Sequence, residues 1–178
     1  MKASVIVGSG SGGFTDRQCT ALAEALGRSG WECAVHRPAE MDIGDCTGCL
    51  RCAGEGRCVM DDDMSLIIRD FLDSDAVIMG SPVRFSSLSS IAKKVMDRFQ
   101  PLWNTDALKN RRRRLALLMN GGSEHPRTDH AEGCVRAFCI SMNCEYVGCW
   151  LMSGTDDRGF SDQEMDSISA GIVSALSR

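Results

Sequence analysis

An α/β fold, a parallel sheet covered by helices on both faces, follows from three features of the sequence. Short β-rich runs alternate with amphipathic helical segments from one end of the chain to the other. Three of the apolar runs end in Gly/Ser-rich stretches, where open sheets of this kind bind ligands. The 178 residues, 43% hydrophobic and 25% charged, suffice for one domain over 1–178 with a sizeable core. No linker, internal repeat or low-complexity tract interrupts it.

Lys2–Val7 is a β-rich run bounded by glycines and reads as a buried strand. Asp16–Arg28 has helical spacing, with Cys19, Leu22, Ala23 and Leu26 on one face and Gly30 just past its end. Glu32–His36 is the second strand, and residues 38–60 are irregular and rich in Gly and Cys. Asp61–Asp63 complement the positive end of a helix that runs to Ser74 with Leu66, Ile67, Phe71 and Leu72 as its apolar stripe. Ala76–Met79 is a strand, Ser89–Phe99 a helix, Leu115–Met119 a strand and Ala131–Met142 a helix. Tyr146–Leu151 is the fifth strand, before a last helix from about Ser161 to Leu176.

The net charge of −4 argues against nucleic acid as the main partner. No stretch is long enough to span a membrane. The apolar start, Ala3–Val7, is too short for a signal-peptide core, so a cytoplasmic location is expected.

Gly8, Gly10 and Gly13 spell the G-x-G-x-x-G of a dinucleotide-binding turn. That motif places an acid at the end of the second strand; here the strand ends Val35-His36-Arg37, where Arg37 suits a 2′-phosphate. Ser9, Ser11 and Thr15 instead add three hydroxyls to a glycine turn at a helix N-terminus, a combination suited to one terminal phosphate. Gly80-Ser81-Pro82-Val83-Arg84-Phe85-Ser86-Ser87 follows the third strand and Asn120-Gly121-Gly122-Ser123 the fourth. Three such loops on one sheet edge make a composite pocket.

With these residues, and the helix end Lys94-Val95-Met96-Asp97-Arg98, nearly the whole chain resembles the flavodoxin-like family of NAD(P)H-dependent FMN reductases. The resemblance implies a three-layer sandwich with a five-stranded parallel sheet in order 2-1-3-4-5, and FMN as cofactor. By it, Ser9, Ser11, Gly12, Gly13, Phe14 and Thr15 hold the phosphate. Ser81, Pro82, Val83, Arg84 and Phe85 border the isoalloxazine, with Asn120, Gly121 and Gly122 on its far side. The chain departs from relatives at Arg84, often aromatic, and at Ser86, often glycine, and its first loop is about one residue shorter. Arg84 beside a flavin suits an anionic reduced ring or an acidic substrate.

Ten cysteines are unusual for a reducing compartment. Cys46, Cys49, Cys52 and Cys58 form C-x2-C-x2-C-x5-C. Successive gaps of two let a tight loop wrap a cubane iron–sulfur cluster, whereas structural zinc sites split their ligands into two pairs. Cys58 is the natural fourth ligand, with Gly54 and Gly56 turning the chain back to it. This motif after the second strand is similar to that of the iron–sulfur flavoproteins. That resemblance implies a [4Fe–4S] cluster on Cys46, Cys49, Cys52 and Cys58, a ferredoxin-like electron donor, a small-molecule acceptor and a homodimer or homotetramer. Zinc on the same thiols, or no metal, leaves the same letters.

Cys134, Cys139, Cys144 and Cys149 recur every five residues, a step of about 140° on a helix, and read mainly as core cysteines. Arg111–Arg114 reads as a solvated basic connection or as a lure for an acidic partner. His125 and His130 match no helical zinc motif. No Ser/His/Asp arrangement presents itself, and a flavin would carry the chemistry itself. Three functions follow: an iron–sulfur flavoprotein, a NAD(P)H-dependent FMN or quinone reductase without a cluster, or a non-catalytic zinc module.

Overall fold

The computed structural model describes every residue except Gly54, Asn104 and Phe160. The turn role expected of Gly54 thus lies outside the described residues. Strands β1 (Lys2–Val7), β2 (Glu32–His36), β3 (Ala76–Pro82), β4 (Arg113–Asn120) and β5 (Cys144–Met152) form one sheet in the order β2-β1-β3-β4-β5. Each pairing is parallel. The expected order therefore holds, and all five strands deliver their following loops to the same edge.

Helices α1 (Phe14–Arg28), α2 (Met64–Asp73), α3 (Ser90–Asp97), α4 (Asp129–Ser141), α5 (Thr155–Arg158) and α6 (Asp162–Leu176) supply the crossovers. Alternation along the strands sorts the core into two layers, as a parallel sheet buried on both faces requires. Val5, Val7, Ile78 and Leu118 pack with Leu22 and Leu26 of α1 and Ile172 and Leu176 of α6. Ile6, Val77, Met79, Leu115 and Leu117 pack on the other face against α2, α3 and α4. There Phe71, Phe99 and Phe138 meet edge to face, with centroids 4.8, 5.3 and 6.3 Å apart.

Several element boundaries differ from expectation by one or two residues, β5 among them. β3 runs on through Gly80-Ser81-Pro82, which stay in register with Leu118, Met119 and Asn120 of β4, and Pro82, which lacks a donor, falls at the last rung. β4 begins two residues early because Arg113 is buried: it donates to Phe71 O at 2.7 Å and Leu72 O at 2.6 Å, closing the carbonyl end of α2. The basic run is thus partly structural, with Arg114 bonded to Leu176 O and Arg111 to Asp73 O. The short α5 and two 3-10 turns, Gln100–Leu102 and Asp106–Leu108, had no periodicity to announce them.

The core-cysteine reading fits Cys139 and Cys144, which are buried, as is Cys19 of α1. Desolvation pushes their thiols up to about 11, 12 and 12. Cys134 and Cys149 are half-buried. Among the described residues no helix is long and apolar enough to cross a membrane.

Gly8 sits where β1 and β3 leave the sheet side by side, its N–H donating to Gly80 O at 2.8 Å. A Cβ there would stand 2.5 Å from Gly80 O and 2.7 Å from the Cβ of Ala92. Gly8→Ala is expected to lower stability by about 1–3 kcal/mol in urea unfolding, the usual cost of overpacking.

Candidate functional site

The three Gly/Ser loops are bonded directly to one another. Ser89, the N-cap of α3, accepts from Ala92 N–H at 3.1 Å and donates to Gly8 O at 2.5 Å. Its own N–H donates to Ser81 Oγ at 2.9 Å, so the second loop is tied through Ser89 to the first. Val83 N–H donates to Asn120 O at 2.7 Å, joining the second loop to the third. The Asn120 amide closes the circuit by donating to Thr15 Oγ1 at 2.7 Å and Gln18 Oε1 at 3.0 Å.

Within the first loop, Ser9, Ser11, Gly12, Gly13 and Phe14 lie at or near the surface and Thr15 is buried. Gly13 is the N-cap of α1, with no side chain capping the helix. Gly12 N–H donates to Asp16 Oδ2 at 2.8 Å, and Arg37 Nε donates to the other oxygen of that carboxylate at 2.8 Å. Ser11 donates to Glu40, and Ser9 to Gly10 O at 3.0 Å. Thr15 Oγ1, accepting from Asn120, keeps its own proton to donate. Ser81 is fully buried, its hydroxyl committed to Pro82 O and to Ser89 N–H.

Arg84 and Ser87 exchange backbone hydrogen bonds at 3.0 and 2.9 Å around Phe85 and Ser86, whose φ values are +49° and +63°. Two positive φ angles in a two-residue turn define a type I′ hairpin, which glycine would enter more easily than serine. It presents the Phe85 ring 99% exposed. Gly121 lies against Pro126, and its carbonyl and that of Gly122 accept from Thr155 and Asp156 N–H of α5 at 3.2 and 3.3 Å.

The cysteine segment leaves β2 at the same edge. Cys46, Cys49, Cys52 and Cys58 line one cavity together with Asp97, Arg98, Gln100 and Pro101. All four thiols are free of disulfides. Among the described residues no three His, Cys, Asp or Glu side chains gather as a ready site for a metal ion.

The base of this loop is pinched shut. Arg98, 1% exposed, forks onto Asp62 at 2.6 and 2.9 Å and donates to Gly44 O at 2.7 Å. Asp62 accepts from Gly44 N–H at 3.1 Å, and Asp63 from Asp42 N–H at 2.8 Å. Lys94, one turn before Arg98, donates to Ile43 O at 3.0 Å. Desolvation pushes the Asp62 carboxyl up, but hydrogen bonds from Arg98, Gly44 and Met64 outweigh it and hold it below the ordinary value. Its stabilisation is therefore present above the unfolded carboxylate pKa and lost as pH falls through the folded value.

Reasoning from sequence missed Asp16, Glu40, Asp62 and Ser89 as residues that hold the loops, and gave Arg37 and Arg98 no such role. The signals were weak: Asp62 sits in an acidic run that reads as helix capping, and Ser89 in a run of serines.

The family model for NADPH-dependent FMN reductases matches residues 1–156. An iron–sulfur flavoprotein of Methanocaldococcus jannaschii is 34% identical over 87 residues, 49% of this chain and 45% of that protein. One from Archaeoglobus fulgidus is 35% identical over 112 residues, 62% of this chain and 51% of that protein. The matches thus span about half the length of these relatives. Among solved structures, a flavone reductase superposes with TM-score 0.77 at 16% identity, over 99% of this chain and 63% of that one. An FMN-dependent NADH-azoreductase from Bacillus anthracis, in complex with FMN, gives TM-score 0.68 at 13% identity, over 100% of this chain and 99% of that one.

Cys49 is set apart chemically: the Arg51 backbone N–H, then the Arg51 side chain, lower its thiol to about 7. Thiolate is the reactive form, so iodoacetamide labelling of the metal-free protein, followed by mass spectrometry, should show Cys49 half-maximal near pH 7. Cys19 and Cys144 should stay unlabelled there. Arg51→Ala should raise the Cys49 midpoint only part of the way, since the backbone donor stays.

Proposed function

Because the chain belongs to the NADPH-dependent FMN reductase family, we propose that it is an FMN-dependent electron-transfer oxidoreductase carrying a [4Fe–4S] cluster on Cys46, Cys49, Cys52 and Cys58. When bound, flavin and cluster supply two-electron and one-electron chemistry respectively. Everything else falls to the protein: holding both groups on one sheet edge at fixed separation and in a fixed electrostatic setting.

The observation that carries this reading is the cavity walled by all four cysteines. Four thiols on one cavity wall supply the ligand number that a cubane cluster takes. The fit extends to Arg98, whose Nε is buried in the cavity wall without a hydrogen-bond partner.

In this reading Ser9, Ser11, Gly12, Gly13, Phe14 and Thr15 hold the FMN phosphate. The α1 N-terminus directs backbone donors at it, and Thr15 keeps a hydroxyl proton for it. Ser11 exchanges Glu40 for the phosphate. Ser81, Pro82, Val83, Arg84 and Phe85 border the ring, Ser81 through its backbone, with Asn120, Gly121 and Gly122 across from them. Arg84 selects an acidic small-molecule acceptor, a ferredoxin-like protein supplies electrons, and the chain assembles as a homodimer or homotetramer in the cytoplasm.

A second reading, a NAD(P)H-dependent FMN or quinone reductase without a cluster, draws on the family match and on the full-length likeness to an NADH-azoreductase fold. Paired variants made without oxygen separate the two. Cys52→Ser and Cys58→Ser should lose most of the iron and sulfide yet bind FMN. Ser11→Glu with Gly12→Glu should weaken FMN binding by at least tenfold yet keep the iron. Full iron in the cysteine variants would overturn the ligand assignment. Unchanged electron transfer from NADPH in them would favour the second reading.

A further inference from the structure

The helix end Lys94-Val95-Met96-Asp97-Arg98 stands out in the sequence, yet none of the roles assigned so far uses Arg98 beyond the pinch. Its side chain is almost wholly buried, and burying a guanidinium is costly unless its charge and its donors are all met. Two of its nitrogens are met, by Asp62 and Gly44 O. The third, Nε, is not. A protein seldom leaves a buried charge-bearing donor unpaired without a use for it. Arg98 and Cys58 stand together in the walls of two cavities, one lined by all four cysteines and one running along α2.

Resting on the four-cysteine reading above, we infer that Arg98 is the positioning residue of that site: it locks both ends of the cysteine loop through Asp62 and Gly44, and offers its unpaired N–H to the sulfur of Cys58. Two consequences follow from one side chain. The pinch fixes where the loop starts and stops, so the four sulfurs are partly prearranged. An N–H offered to Cys58 would withdraw charge from a ligand sulfur, and hydrogen bonds to sulfur are among the factors that set a cluster's potential. Reduction by a ferredoxin-like one-electron donor adds one electron and one negative charge to the site. Since Asp62 matches the charge of Arg98, it is the N–H offered to Cys58 that favours the reduced form.

The test uses the full chain, reconstituted with iron and sulfide under anaerobic conditions, in three forms: wild type, Arg98→Lys, and the double variant Arg98→Met with Asp62→Leu. The double variant removes the buried pair as a unit, which keeps the fold where a single truncation would strand a charge. Iron content and the midpoint potential, followed by EPR during a chemical titration, are read on each, with FMN content as the folding control. Arg98→Lys keeps the charge but not the fork. It should retain iron and shift the midpoint negative, by about tenfold in the one-electron equilibrium, or about 59 mV. The double variant should keep FMN and lose at least half of its iron. If wild type and Arg98→Lys share iron content and midpoint, the role in tuning Cys58 is refuted while the cluster reading stands. If the double variant retains full iron, the pinch is not what arranges the loop. If wild type takes up no iron, the cluster reading fails and carries this inference with it.

Discussion

The buried ion pair between Arg98 and Asp62 is the constraint on which the rest of this structure turns. Residues 38–60 have no helical or strand periodicity, and the described ones form no strand or helix. Ordering such a segment costs roughly 1–2 kcal/mol of backbone entropy per residue, against which Ile43, with Met41 beside it, is its foothold in the core. What shortens the problem is closure at the base. Arg98, Asp62, Asp63 and Lys94 grip residues 42–44 from two sides, so the cysteine loop starts and ends at fixed points. A buried pair of this kind gains little net stability and contributes specificity instead. Here the specificity is geometric, since it decides where four thiols can be.

Helix α3 turns that local clamp into a long-range one. Its N-cap Ser89 holds the first Gly/Ser loop through Gly8 and the second through Ser81. Nine residues later Arg98 holds the cysteine loop. At 1.5 Å per residue the helix is a strut of about 13 Å between the two candidate sites. Burial of Ala92, Val95 and Met96 fixes it against the sheet. Three loops that belong to different crossovers are thereby referenced to one rigid element, the kind of support a precise site needs.

Much of this was legible in the sequence, because its physics is local. Parallel strands buried on both faces read as apolar runs, and glycine turns follow them where a sheet meets its ligand. The four cysteines at gaps of two, two and five identify themselves as a set. What stayed hidden depends on residues that meet only in three dimensions. Asp62 lies 36 positions from Arg98 and reads as one more acid before a helix. Arg113 reads as surface in a run of four arginines, and only the position of the α2 carbonyls makes it a buried cap. The Phe85-Ser86 hairpin escaped for another reason: neither residue is a usual choice for positive φ, so composition pointed to an open loop.

The central claim is that one chain holds FMN and an iron–sulfur cluster together. Its most direct test is the iron, acid-labile sulfide and flavin content of a single preparation purified without oxygen. The account predicts about four irons, about four sulfides and one FMN per chain. Stoichiometric flavin without iron, or zinc in its place, would contradict it.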